Sequence, residues 1–154
     1  MTKSLLFLFF LCYNVITKQK FNSWRNKNMS KTKFYICEKC GNLIEKIDDS
    51  GVPVVCCGQK MTPIEAGTVE ASREKHIPVA TVDGSTVKVV VGSVEHPMAE
   101  EHSILWIELK TDRGVQRKHL NPGEAPVVVF AIADETPIEV YAYCNLHGLW
   151  KAEI

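Results

Sequence analysis

From about residue 79 onward the chain runs as short apolar stretches alternating with polar positions and cut by turn residues, a pattern that predicts strands. Residues 79–82 and 86–91 flank Asp83-Gly84, a two-residue signal for a β-hairpin. Residues 104–110 alternate, with Leu105, Ile107 and Leu109 expected on one face. Residues 115–120 follow the turn Asp112-Arg113-Gly114, Asn121-Pro122-Gly123 opens the apolar run 126–133, and residues 138–143 alternate again. No window carries helical periodicity. About seven short strands at this spacing predict an all-β protein whose larger part is an antiparallel β-sandwich.

Ahead of the sandwich, residues 33–64 read as a strand, a Cys37-x-x-Cys40 knuckle, a hairpin turning at Asp49-Ser50-Gly51, and a second cysteine pair, Cys56-Cys57. This stretch has too few apolar residues to fold unaided. A bound metal would supply the missing free energy, about 10 kcal/mol or more for a four-thiolate site. Residues 62–75, with Pro63, Gly67 and mixed charge, are expected to be a linker. The division expected is 1–28 as an extension, 29–66 as the metal module and 67–154 as the sandwich.

Charge sharpens that division. The 18 basic and 18 acidic residues cancel over the whole chain, yet residues 1–28 hold five bases and no acid. The remainder therefore carries 13 bases against 18 acids, a net of −5 that makes it a poor nucleic-acid binder. The apolar run at 5–12 is too short to cross a bilayer as a helix. Three readings stay open for 1–28: sequence upstream of a true start at Met29, a signal peptide, or a structured extension.

The cysteines define the first candidate site. Cys37, Cys40, Cys56 and Cys57 follow a Cys-x2-Cys, fifteen residues, Cys-Cys spacing, which resembles zinc ribbons and rubredoxin-type iron sites. Neighbouring residues of an extended strand point to opposite faces, so both members of the vicinal pair reach one ion only through a bent backbone. An iron centre, a zinc staple and a pair of disulfides are the alternatives. Metal ligation alone uses every cysteine after Met29, which also favours a reducing compartment, the cytoplasm.

The second candidate site mixes imidazole with one thiolate. Cys144-Asn145-Leu146-His147 ends a strand and turns at Gly148, while His76, His96 and His102 fall in loops or at strand ends, where a sandwich gathers its binding residues. Several imidazoles with one thiolate suit a redox metal better than structural zinc. His119, within the charged run Arg117-Lys118-His119, reads as solvated.

Residues 29–154 resemble desulfoferrodoxin, the two-iron class of superoxide reductase related to neelaredoxin. The resemblance rests on the Cys-x2-Cys/Cys-Cys signature, Glu74-Lys75-His76-x-Pro78, Glu95-His96-Pro97-Met98 followed by Glu100-Glu101-His102, and Cys144-Asn-Leu-His147-Gly-Leu-Trp150. It covers both modules and nothing in 1–28. It implies a desulforedoxin-like iron module with Cys37, Cys40, Cys56 and Cys57, then an immunoglobulin-like sandwich. It further implies a second iron held by His76, His96, His102 and His147, with Cys144 axial and a sixth position open. Lys75 is implied to attract superoxide and organise proton delivery, and Glu74 to occupy the open position in the oxidised state. A rubredoxin-like donor and a homodimer are implied as partners, with no membrane role. The expected activity is one-electron reduction of superoxide to hydrogen peroxide. The rivals are a non-enzymatic iron electron-transfer or storage protein and a zinc-stapled binding module.

Overall fold

The computed structural model describes residues 32–69 and 71–154, so the readings of residues 1–28 lie outside the described residues. The Cys-rich module contains β1 (Lys33–Ile36), β2 (Leu43–Lys46), β3 (Val55–Cys56), β4 (Gln59–Lys60) and β5 (Thr62–Ile64). Strand β1 is central, flanked antiparallel by β2 and β5, and β3 pairs with β4 as a separate hairpin. One helical turn, α1 (Arg73–His76), leads into the sandwich.

The sandwich has seven strands. β6 (Pro78–Asp83), β7 (Thr86–Val91) and β10 (Val127–Ala131) form one sheet, in the order β10-β7-β6. β8 (Ile104–Thr111), β9 (Val115–His119), β11 (Pro137–Cys144) and β12 (Gly148–Glu153) form the other, in the order β12-β11-β8-β9. Every pairing is antiparallel. The Asp83 to Thr86 pairing closes the β6–β7 hairpin at the predicted turn. Between the sheets lies a core in which Val87, Val89, Phe130, Ile107, Val140 and Ala142 have little or no exposed surface.

The four-stranded sheet is covered on both faces. Along β11, Val140, Ala142 and Cys144 point into the sandwich core, and Tyr141 and Tyr143 point the other way, toward the module. There Phe34 of β1 packs on Trp106 and Tyr141, with ring centroids 5.6 and 5.4 Å apart. Period-two alternation thus serves two cores, which is why positions that would be polar on a one-faced sheet are aromatic here.

Three expectations need correcting. The stretch 62–75 is not all linker: Thr62–Ile64 is the third strand of the module sheet, and Pro63 is tolerated because β5 is an edge strand. Its end forms α1, whose single turn is too short to leave a period in the sequence. Leu105 does not share a face with Ile107 and Leu109. The register slips by one residue between Tyr143↔Trp106 and Cys144↔Ile104, so Leu105 bulges outward, 37% exposed, and Ile104 takes the core position.

Candidate metal centres

The four-cysteine cluster is built from two tight turns. Cys37 follows β1, and its carbonyl accepts the Gly41 N–H at 2.8 Å, curling Cys40 back toward it. Cys57 and Gly58 are the two loop residues of the β3–β4 hairpin, with φ of 49° and 74°, as a type I′ turn requires. That left-handed turn supplies the bend demanded by adjacent cysteines. The sulfurs of Cys40 and Cys56 stand 3.7 Å apart and those of Cys56 and Cys57 3.9 Å. Four sulfurs about 2.3 Å from one ion, arranged as a tetrahedron, have edges of about 3.8 Å.

The five described cysteines are all free thiols, which removes the disulfide alternative. Hydrogen bonding from the Cys40 backbone N–H lowers the Cys37 thiol to about 7, whereas Cys40, then Cys56 and Cys37, push the Cys57 thiol up to about 12. Crowded sulfurs cannot all ionise unless a cation neutralises them, so the donor set fits a thiolate-preferring metal.

The second cluster lies at one end of the sandwich. His76 ends α1, His96 and His102 sit on the segment between β7 and β8, and Cys144 and His147 bracket the β11–β12 turn. The donor atoms of His76, His96, His102, Cys144 and His147 all lie within 4.8 Å of one another. The four imidazoles form a closed ring. Neighbours His76–His96, His96–His102, His102–His147 and His147–His76 have centroids 4.6 to 4.8 Å apart and nearly perpendicular planes. His76 and His102, across the ring, are 6.2 Å apart and inclined by only 26°. Cys144 enters from the core side, wholly buried, with its sulfur 3.6 Å from His147 Nδ1.

Backbone carbonyls set the tautomers. His76 Nδ1 donates to the Ser72 carbonyl at 2.7 Å and His96 Nδ1 donates to the Pro97 carbonyl, so each turns a bare Nε2 inward. His96 Nε2 and His102 Nε2 are buried without any hydrogen-bond partner. Orphaned ring nitrogens converging on one point are what a metal requires of its ligands. Right-angled donors about 2.1 Å from an ion stand about 3.0 Å apart, and His76 Nε2 lies 2.9 Å from His147 Nδ1. Trp150 steadies two members, stacking on His76 at 4.9 Å and donating Nε1–H to the His147 carbonyl at 3.1 Å.

Burial lowers the pKa of His76, His96 and His102, with His96 pushed down to about 4. The folded state therefore disfavours imidazolium, and acid opposes the fold: protons bind the unfolded chain first, near 6.5, and stability falls as the pH drops toward 4. Metal-free Glu108→Gln protein, which lacks the buried carboxyl that gains stability toward acid over the same window, should lose thermal stability steadily from pH 7 to pH 4 in scanning calorimetry. A flat profile over that window would contradict the buried neutral imidazoles.

The sequence brought together every residue of both clusters but missed their supports. Gly92, at φ 83°, lets the end of β7 approach α1, and its N–H donates to the Ile77 carbonyl at 3.0 Å. A Cβ there would stand 2.3 Å from the Val94 carbonyl oxygen and 2.6 Å from that of Lys75. The Val94 N–H and Ser93 hydroxyl both donate to the Glu74 carbonyl. Asn145 spans two ligand segments: its Oδ1 accepts the Ser103 N–H at 3.0 Å and its Nδ2 donates to the Glu101 carbonyl. Adjacency to Cys144 was the only sequence signal for Asn145. Nothing in the sequence singled out Gly92.

Glu74 is exposed on α1, and Lys75 beside it is half-buried. Lys75 lines a cleft of about 490 Å³ together with His96, Glu95, Met98, Glu124 and Pro126. Among the described residues no carboxylate pairs with the Lys75 ammonium. His119 is exposed on β9, as expected, and takes part in neither cluster.

Fold and sites define a two-centre metal-binding β protein, one centre all thiolate and the other four imidazoles with one thiolate. The desulfoferrodoxin family profile matches residues 68–153 and the desulfoferrodoxin N-terminal domain profile matches residues 29–64; the chain belongs to the desulfoferrodoxin family. It is 44% identical over 123 residues to a desulfoferrodoxin of Syntrophotalea carbinolica, covering 80% of this chain and 97% of the relative. A superoxide reductase of Pyrococcus abyssi is 35% identical over 99 residues, covering 53% of this chain and 86% of that protein. The crystal structure of the superoxide reductase from Treponema pallidum superposes with a TM-score of 0.68 at 42% identity, covering 79% of this chain and 98% of that one.

Proposed function

We propose that this protein is a superoxide reductase with two mononuclear iron centres, re-reduced after each turnover by an external electron donor. The observation that carries this reading is the imidazole ring above a buried thiolate, with orphaned nitrogens turned inward. His76, His96, His102, His147 and Cys144 would hold the catalytic iron, and Cys37, Cys40, Cys56 and Cys57 the second. Iron held there would supply the single electron that, with two protons, converts superoxide to hydrogen peroxide.

The chain's own residues set the terms of that reaction. Cys144, held in the core with its pKa raised by burial, presents a strong sulfur donor from below. The body of net charge −5 repels an anion at long range, so a local cation must offset this. Lys75 supplies it at the mouth of the cleft and positions protons near the reacting oxygen. Glu74, on the same turn, is the carboxylate that would fill the open position in the oxidised state. A rubredoxin-like donor with a complementary basic patch, pairing of two chains, a domain boundary at 66/67 and a reducing, cytoplasmic setting complete the reading. Among the described residues no helix is long and apolar enough to cross a membrane.

Lys75→Ala should slow the second-order reaction with superoxide about tenfold at low ionic strength, with iron content unchanged. Pulse radiolysis of the two proteins at two salt concentrations measures it. Equal rate constants would remove Lys75 from its role. The reductase itself is tested by withholding the donor: superoxide consumption faster than its spontaneous disproportionation must then stop once the electrons held by the two reduced irons are spent. Consumption sustained above that spontaneous rate without a donor would refute it.

A further inference from the structure

Among the described residues Glu108 is the only carboxylate with no exposed surface. It stands on β8, opposite Tyr141 of β11, on the face of the sheet that carries the Cys-rich module. Its Oε2 accepts from Arg117 Nε at 2.7 Å and from Arg117 Nη2, while its Oε1 is buried without a partner. The same Nη2 donates at 2.6 Å to Glu45 on β2, across the junction between module and sandwich. The Arg117 guanidinium also lies over the rings of Trp106 and Phe34, at 4.9 and 6.0 Å.

Two carboxylates therefore share one guanidinium, leaving a negative charge in excess at a site where one carboxylate is fully dehydrated. Besides Arg117, the Lys110 charge also opposes that excess, without removing it. From β11, the Tyr141 hydroxyl donates to Glu139 instead, and on β8 itself Lys110 pairs with Glu139 at 3.6 Å. A proton on Glu108 would remove the excess charge, with Glu45 still holding Arg117.

We propose that Glu45, Arg117 and Glu108 form a proton-linked latch that fixes the Cys-rich module on the sandwich, tight when Glu108 is protonated and looser when it is ionised. Burial, then the Glu45 charge, push the Glu108 carboxyl up to about 7 against the pull of Arg117 and, more weakly, of Lys110. A carboxyl that gains proton affinity on docking makes docking weaken as the pH rises from its ordinary value, 4.5, to about 7, and level off above. The latch rests on the fold and stands whether or not the proposed activity does.

Hydrogen exchange on the full-length, iron-loaded protein tests it. The measured quantity is exchange in β1 relative to β10, a ratio that cancels the chemical pH dependence. It should rise at least about tenfold between pH 5 and pH 8 in the wild type and stay level in Glu108→Gln. A level ratio in the wild type, or an unchanged slope in Glu108→Gln, would overturn the latch. Infrared titration of the wild type needs no variant. A buried carboxylic C=O band should disappear with a midpoint near 7, and no carboxyl titrating above 5 would also overturn it.

Discussion

Replacing Cys144 with serine is expected to lower the rate constant for superoxide reduction by about 10²–10³, the loss typical of removing one group that stabilises developing charge. Cys144 has no exposed surface and packs among Ile104, Ala142 and their neighbours, so its sulfur is a core atom as well as a donor. Serine keeps the shape but puts a hydroxyl into an apolar setting, which costs about 1–3 kcal/mol when unsatisfied. The visible absorption of the oxidised four-histidine centre should disappear, because a hydroxyl cannot supply the thiolate. The Cys37–Cys57 centre should keep its own spectrum, since no strand is shared between the clusters. Absorption spectra and iron analysis of the variant check both. A persisting thiolate band would show that Cys144 is not the sulfur donor.

Gly92→Ala is expected to act almost as strongly from a position that touches no metal ligand side chain. Its Cβ would fall 2.3 and 2.6 Å from two carbonyl oxygens, in a left-handed conformation that alanine rarely adopts. The loop must move, and the parts held by it are the Glu74 carbonyl and the turn that carries Lys75 and His76. The cost should be about 2–3 kcal/mol, lowering Tm by roughly 10 °C. Iron should be lost selectively from the four-histidine centre, with the four-cysteine centre still full. Calorimetry and metal analysis separate this from general unfolding, and equal loss from both centres would contradict the local account.

Both sites were legible because metal ligation constrains residue type and spacing more tightly than packing does. A knuckle with a trailing glycine, a vicinal cysteine pair and Cys-x2-His at a strand end each carry a chemical requirement that survives without coordinates. The hairpin at Asp83-Gly84 was legible for a similar reason, since few residues accept its turn. The bulge at Leu105 was not, because one extra residue in a strand leaves the alternation looking intact while reversing its phase. Strand β5 was hidden by Pro63, whose place at a sheet edge only the assembled topology reveals. Glu108 was hidden most completely: on β8 it reads as an ordinary solvent-facing charge, and only docking of the module buries it. Supports such as Gly92 and Asn145 act through backbone atoms, which local sequence does not display.

The most direct measurement is anaerobic rapid mixing of the fully reduced, iron-loaded protein with superoxide, following hydrogen peroxide and oxygen together. One hydrogen peroxide should form for each superoxide consumed, with no oxygen released and the four-histidine centre oxidised in step. Oxygen appearing in half the amount of superoxide consumed would make the protein a dismutase and would contradict the reductive role assigned to the four-histidine site.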